Sequence, residues 1–363
     1  MSLRADGVEV AQTKAEGEAF AIPPLLIIDS VVGFLDSHNL GSGELSWSRI
    51  GEGQSNVTYR LDRGDKTFVL RRGPRPPLPR STHDMVREAR ILRTLGTEGI
   101  PVPTVLACCE DESVLGVPFY IMAFLDGEII TNQIPTVLDS PVERRRTSEA
   151  AIDTLLRLHN VEVSSGELAT LGRPAGYLGR QVDRFSSLWT QTTTRDLPEV
   201  EQLGRWLGQN LPNSEAASVV HGDFRLGNLM FARDSPARVM AILDWEMATL
   251  GDPLADLGYL TATYAEKGFA STPLELTTVT SQDGYLRRDE LVERYASQSS
   301  LALDALPWYQ ALALWKAAVF CEAIYTRWLN GERPDDTDFA PSLKTGVPQL
   351  LAGAREIAGL TTQ

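Results

Sequence analysis

Residues 219–260 constrain the fold most. They begin Val-Val-His221-Gly-Asp223-Phe-Arg225-Leu-Gly-Asn228-Leu-Met-Phe. After a turn-rich insert at 232–238 they resume Val-Met-Ala-Ile-Leu-Asp244-Trp-Glu246, then Gly251-Asp252-Pro253 and Asp256-Leu257. Two short apolar runs around Arg-Asp-Ser-Pro read as a β-hairpin. His-x-Asp-x4-Asn leads into it, and an Asp follows its second strand.

That spacing suits phosphoryl transfer. Asp223 sits on a loop, where its carboxylate can accept a hydroxyl proton. Asn228 offers an amide oxygen at the hairpin entrance, and Asp244 a hard anionic oxygen at its exit. Together Asn228 and Asp244 can hold Mg²⁺ over phosphates, because oxygen ligands suit that ion. Arg225 can place a cation beside the transferring group, where negative charge is spread. Any one of these Asp or Asn residues alone reads as a turn cap. Three in this order, in a hairpin context, read as a kinase catalytic loop with its metal-binding Asp.

At 363 residues the chain exceeds one ordinary core, so two lobes are expected. Hydrophobic content of 43% and charged content of 23% are those of a globular protein. No apolar run is long enough to span a membrane. Residues 1–24 are polar at the start, without a secretory h-region, and are expected to be disordered. Cys108, Cys109 and Cys321 are too few for a zinc site or a disulfide framework, which fits a reducing cytoplasm. The net charge of −14 argues against nucleic acid or an anionic membrane as partner. It is uneven: 13 basic and 16 acidic residues in 1–125 (net −3), 21 and 32 in 126–363 (net −11). An acidic second part either attracts a cationic substrate or simply solubilises the surface.

In chain order, 25–35 suggests a short amphipathic helix and 45–50 a strand. Gly51-Glu-Gly53-Gln54-Ser55-Asn56 follows, and 57–61 resumes as a strand. A strand–glycine loop–strand is the kinase way of covering nucleotide phosphates, although any hairpin turn resembles it. A third strand, 67–72, ends in Arg71-Arg72, cations suited to the α- and β-phosphates. Glu88, inside an amphipathic helix at 84–95, is the candidate to hold one of them. Strands at 101–108 and 118–127 lead to the second lobe, with Met122, Ala123 and Leu125 placed to meet adenine. Helices are expected at 144–159, 177–189, 200–211, 289–298 and 307–328. His159 reads as a packing or capping residue. The last helix is the most apolar; its Trp308, Trp315 and Trp328 read as core or as a substrate-pocket wall.

The residues quoted carry a resemblance. His221-Gly-Asp223-x4-Asn228, Leu243-Asp244-Trp-Glu246 and Gly251-Asp252-Pro253-x2-Asp256-Leu257 are similar to motifs of the aminoglycoside phosphotransferase / choline kinase-like family. Val69-Leu-Arg-Arg72, His83-Asp84-Met-Val-Arg-Glu88 and the Gly-Asp-Phe-Arg-Leu-Gly-Asn loop more closely resemble one branch, which includes the kinase domain joined to acyl-CoA dehydrogenases. The resemblance implies an α+β, bilobal protein-kinase-like fold: a small antiparallel-sheet lobe over 25–125 and a mainly helical lobe over 126–363. It implies ATP or GTP with Mg²⁺, Asp223 as catalytic base, Asn228 and Asp244 as metal ligands, Glu88 as helix partner, and Asp256 as a structural brace. The family's strand lysine is replaced by Arg71 or Arg72, which keeps the charge in a broader planar donor. The implied reaction is transfer of a γ-phosphate to a small-molecule hydroxyl. The acceptor is a hydroxyacyl-CoA by the branch, or alternatively an aminoglycoside or other amino-sugar or amino-alcohol. A catalytically silent nucleotide-binding protein is the reading of another class. No Ala-Pro-Glu segment follows the metal Asp, which disfavours protein substrates.

Overall fold

The computed structural model describes residues 3–4, 7–51, 56–76, 83–214, 216–269, 272–332 and 336–360. The chain divides into two compact units, Met1–Asp126 and Gly127–Gln363.

The first unit begins with β1 (Leu3–Arg4), β2 (Gly7–Val8), β3 (Val10–Ala11), α1 (Lys14–Glu18), β4 (Leu26–Ile27) and α2 (Ile28–Ser37). Then come β5 (Leu45–Ile50), β6 (Val57–Arg63), β7 (Lys66–Arg72), α3 (Met85–Thr97), β8 (Val105–Cys109) and β9 (Phe119–Ala123). Strands β5 to β9 form one antiparallel sheet in the order β5-β6-β7-β9-β8. In β6 burial alternates residue by residue, so Val57, Tyr59, Leu61 and Arg63 share the covered face. Tyr59, Leu61, Leu70, Phe119 and Ile121 meet Leu26, Val31 and Leu35 in its core. Each large apolar side chain so buried contributes about 1.5–3 kcal/mol. Helix α3 packs against β8 and β9 and is capped by Asp84, whose Oδ1 accepts the Arg87 N–H at 2.9 Å.

Residues 8–20, expected to be disordered, are instead held. Val8 and Ala11 are buried, β3 pairs in parallel with β4, and Thr13 caps α1. The physical reason lies downstream. Arg72 donates to the carbonyl of Leu25 (2.5 Å), and Arg75 donates to those of Pro23 (2.6 Å) and Val8 (3.0 Å).

The second unit holds β10 (Glu128–Ile129), α4 (Pro141–His159), α5 (Tyr177–Thr192), α6 (Pro198–Gln209), β11 (Ser218–Val220), β12 (Leu229–Phe231) and β13 (Val239–Ile242). These are followed by β14 (Thr249–Gly251), α7 (Leu254–Thr263), α8 (Arg288–Ala296), α9 (Leu306–Leu329) and α10 (Phe339–Ile357). Strands pair antiparallel as β10-β12-β13 and β11-β14. Helix α9 is the core element. Trp308 and Trp315 are buried, and their indole N–H groups donate to the carbonyls of Leu207 (3.2 Å) and Val200 (2.9 Å). Trp328 is only half-buried and stacks on Tyr325. Helix α7 lies against α9 so closely that a Cβ on Gly258 would come within 2.5 Å of Tyr309 Cβ. The buried Glu322 carboxylate accepts from Arg195, whose guanidinium also reaches the Leu343 and Lys344 carbonyls of α10. Cys109 and Cys321 are buried thiols and Cys108 is half-buried. Among the described residues, no helix is long and apolar enough to cross a membrane.

Candidate active site

Hairpin β12–β13 brings the two residues expected to ligate a metal, Asn228 and Asp244, to one end. Leu229 faces Ile242 in register, and the Leu243 N–H donates to the Asn228 carbonyl at 2.8 Å. Asn228 and Asp244 therefore lie at the same end of the hairpin. Asp244 has a left-handed backbone, φ 65°, which costs a non-glycine residue roughly 1–2 kcal/mol. The next residue closes this turn, since the Trp245 indole N–H donates to the Ile242 carbonyl at 2.9 Å.

The loop before the hairpin is fixed from beneath. His221 is fully buried. The Asp223 N–H donates to His221 Nδ1 at 3.2 Å, so Nε2 carries the proton and donates to the Leu243 carbonyl at 2.9 Å. His221 is thus a tie between loop and hairpin. Asp256, the expected brace, is also fully buried and accepts the His221 N–H on Oδ2 (2.7 Å) and the Gly222 N–H on Oδ1 (2.8 Å). Burial pushes its carboxyl upward. The His159 hydrogen bond first, with the Gly222 amide, works against that, and the carboxyl is held below the ordinary carboxylate value. His159 packs as expected, with Nδ1 2.8 Å from the Tyr295 hydroxyl and Nε2 3.4 Å from Asp256 Oδ2.

Asn228 donates its amide hydrogens to the Asp223 carbonyl (2.8 Å) and carboxylate (2.7 Å). Its nitrogen is occupied, which leaves its oxygen as the atom able to ligate a cation. Among the described residues, no three His, Cys, Asp or Glu side chains converge on a metal position. An all-protein cage is therefore absent from them, while one amide oxygen and one carboxylate at the hairpin end fit Mg²⁺ completed by phosphates and water. Arg225 Nε lies 3.5 Å from Asp223 Oδ2. A Cβ on Gly227 would collide with the Arg225 guanidinium, so this glycine makes room for the cation.

Sequence reasoning missed Tyr259. Burial first, then the Asp223 carboxylate, raise its phenol well above the ordinary value. A signal was available: Tyr259 stands three residues after Asp256, on the same helical face.

In the first unit, Arg71 Nε lies 3.0 Å from Glu88 Oε1, both side chains largely buried. Arg72 points elsewhere. It is fully buried, donates to the carbonyls of Gly73 (2.9 Å), Leu25 (2.5 Å) and Leu115 (3.1 Å), and burial lowers it to about 10. The pair with Glu88 is therefore Arg71's. Gly51 has φ +77°, a conformation suited to glycine. Gly53, Gln54 and Ser55 lie outside the described residues. Asn56 is buried, and its Oδ1 is 2.8 Å from Nδ1 of His83, which the sequence quoted within the branch motif without a role. Burial and the neighbouring Arg71 lower the His83 imidazole. Met122 lies inside β9, opposite Val69 and Val105. The Ala123 N–H already donates to the Thr104 carbonyl at 2.9 Å, so an adenine edge could not use that donor and would depend on groups beyond it, such as those of Leu125.

The family model for the phosphotransferase enzyme family matches residues 46–318. Acyl-CoA dehydrogenase family member 10 of Mus musculus is 34% identical over 333 residues, covering 90% of this chain and 30% of that protein. The chain spans less than half the length of the curated relatives it matches. Among solved structures, a candidate aminoglycoside phosphotransferase of Ralstonia eutropha superposes with TM-score 0.77 at 28% identity, covering 92% of this chain and 99% of that one. A spectinomycin phosphotransferase solved with ADP and spectinomycin superposes with TM-score 0.60 at 12% identity, covering 90% of this chain and 98% of that one. The likeness places the described elements in a protein-kinase-like α+β fold.

Proposed function

Because the chain belongs to the phosphotransferase enzyme family, we propose that it moves the γ-phosphate of ATP to a hydroxyl group of a small molecule. The observation that carries this reading is the set at the hairpin end. The Asp223 carboxylate is held by Asn228 at 2.7 Å and flanked by Arg225, and Asn228 and Asp244 stand at the same end of the hairpin.

In this reading Asp223 orients the acceptor hydroxyl and takes its proton late, since phosphoryl transfer passes through a loose transition state. Arg225 offsets the charge on the transferring group. Asn228 and Asp244 would hold Mg²⁺, which when bound neutralises and aligns the phosphates. Arg71, steadied by Glu88, would meet the α- and β-phosphates. Gly51, Asn56 and Leu125 would serve the rest of the nucleotide. The ADP bound in a structural neighbour supports an adenine nucleotide.

For the acceptor we propose a hydroxyacyl-CoA, supported by similarity to relatives named for acyl-CoA dehydrogenase. An aminoglycoside-like acceptor is the second reading, favoured by the net charge of −11 over residues 126–363. A silent nucleotide-binding protein is disfavoured by the intact Asp223, Asn228 and Asp244. One assay separates these readings: ATP consumption with Mg²⁺ against hydroxyacyl-CoAs, aminoglycosides, choline-like alcohols and sugars. Acceptor-dependent consumption that vanishes in Asp223→Asn is expected. No stimulation by any acceptor class would sink the kinase reading.

A further inference from the structure

We propose that Lys316 and Arg184 form a subsite for an anionic group of the acceptor, a phosphate or a carboxylate. The inference rests on the phosphotransferase reading above and adds to it the sign of the acceptor's charge.

Lys316 stands between buried Trp315 and Ala317 in the middle of α9, and its own side chain is half-buried. Its ammonium donates to Gln181 Oε1 of α5 at 2.9 Å and lies 4.8 Å from the centre of the Phe185 ring, one turn further along α5. Gln181, Arg184 and Phe185 are spaced i, i+3 and i+4, so Arg184 shares the face of α5 that meets Lys316. Among the described residues, neither Lys316 nor Arg184 forms an ion pair with a carboxylate. Arg184 is exposed.

A cation withdrawn from water normally faces a carboxylate, because only a counter-charge and hydrogen bonds offset its desolvation. Lys316 has a neutral amide and an aromatic face instead. Burial first, then the Arg184 charge, lower its ammonium to about 8. The carboxylate that attracts it, Asp256, is already engaged by the His221 and Gly222 N–H groups at 2.7 and 2.8 Å. Gln181 uses one of the three ammonium hydrogens, which leaves two for a ligand. An anion there would supply the missing counter-charge. The place also suits an acceptor. Lys316 is two turns beyond Tyr309 on the same face of α9, and Tyr309 abuts Gly258 of α7, the helix whose Asp256 holds the loop before Asp223. An acceptor that carries phosphates, such as an acyl-CoA, fits this chemistry, and a polycationic amino-sugar is repelled by it.

The test is calorimetry on the full chain with coenzyme A and with a free hydroxy fatty acid, which separate the phosphate source from the carboxylate source. At least one should bind the wild type. Lys316→Met and Arg184→Met should each weaken that binding about tenfold and leave Mg·ATP affinity unchanged. Lys344→Met, which removes an exposed charge from α10, should change neither. Failure of both anions to bind the wild type, or wild-type affinity in Lys316→Met, overturns the proposal. A second readout needs no variant. Acetic anhydride should acetylate Lys316 in the free protein, read by mass spectrometry, and the bound anion should protect it. A Lys316 that stays unmodified in the free protein, or is modified equally with the anion present, overturns the subsite. If no acceptor stimulates ATP consumption, the kinase reading fails, while anion binding still decides whether Lys316 and Arg184 form an anion site.

Discussion

Replacing Asp256 with Asn probes the site with almost no change in shape. The carboxylate serves two different donors on two different oxygens, at 2.7 and 2.8 Å, in a fully buried position. Asparagine has one acceptor oxygen, so one loop amide would face an NH₂ group. A hydrogen bond to a charged group contributes about 1.5–3 kcal/mol, and an unmet buried donor costs about 1–3 kcal/mol. The expected loss is about 3 kcal/mol, measured as a lower urea midpoint at unchanged m-value. The pH dependence supplies an internal check. The Asp256 carboxyl is held below its ordinary value, so its contribution is complete above the ordinary carboxylate range and is lost as pH falls through the folded value. Asparagine does not titrate there. The stability gap between wild type and Asp256→Asn should therefore narrow below about pH 4. A loss under about 1 kcal/mol at pH 7, or a gap that widens on acidification, would refute the two-acceptor argument.

Three further outcomes are expected. Glu88→Ala leaves Arg71 without its carboxylate in a largely buried setting, so it should destabilise by about 3 kcal/mol and weaken ATP binding; calorimetry and denaturation both at wild-type values would remove Arg71 from the site. Asp244→Ala should weaken Mg·ATP binding much more than binding of metal-free ATP, and equal losses by calorimetry would contradict its role as a ligand. Asp223→Asn should cut kcat by about 10²–10⁴-fold with ATP affinity near that of the wild type; turnover of the true acceptor at the full rate would show that Asp223 is not the base.

The hairpin and its flanking motif residues were legible because the motif fixes both residue types and spacing. Asp223, Asn228 and Asp244 fall where the reading put them, at the entrance and exit of β12–β13. The choice between Arg71 and Arg72 was not legible. Successive strand residues point to opposite faces, but the pattern does not say which face α3 covers. Helix α10 escaped notice because Gly346, Pro348 and Gly353 interrupt a helical pattern, although Gly353 packs on Leu314 of α9 and Gly346 on Pro273. Tyr259 was hidden in a run of apolar and small residues, where one aromatic reads as packing. Residues 8–20 looked too polar to be held, because what holds them is arginine far downstream rather than their own apolar content.

That last contact bears on where the chain can be shortened. A boundary drawn at residue 25 would look safe from hydropathy alone. It would delete the Val8 and Pro23 carbonyls that receive Arg75 at 3.0 and 2.6 Å, and the β3 edge beside β4. It would also leave Leu25, the acceptor of fully buried Arg72 at 2.5 Å, as a loose chain end. Because Arg72 directly follows Arg71 on β7, trimming the front of the polypeptide would loosen the strand end that carries the Arg71–Glu88 pair.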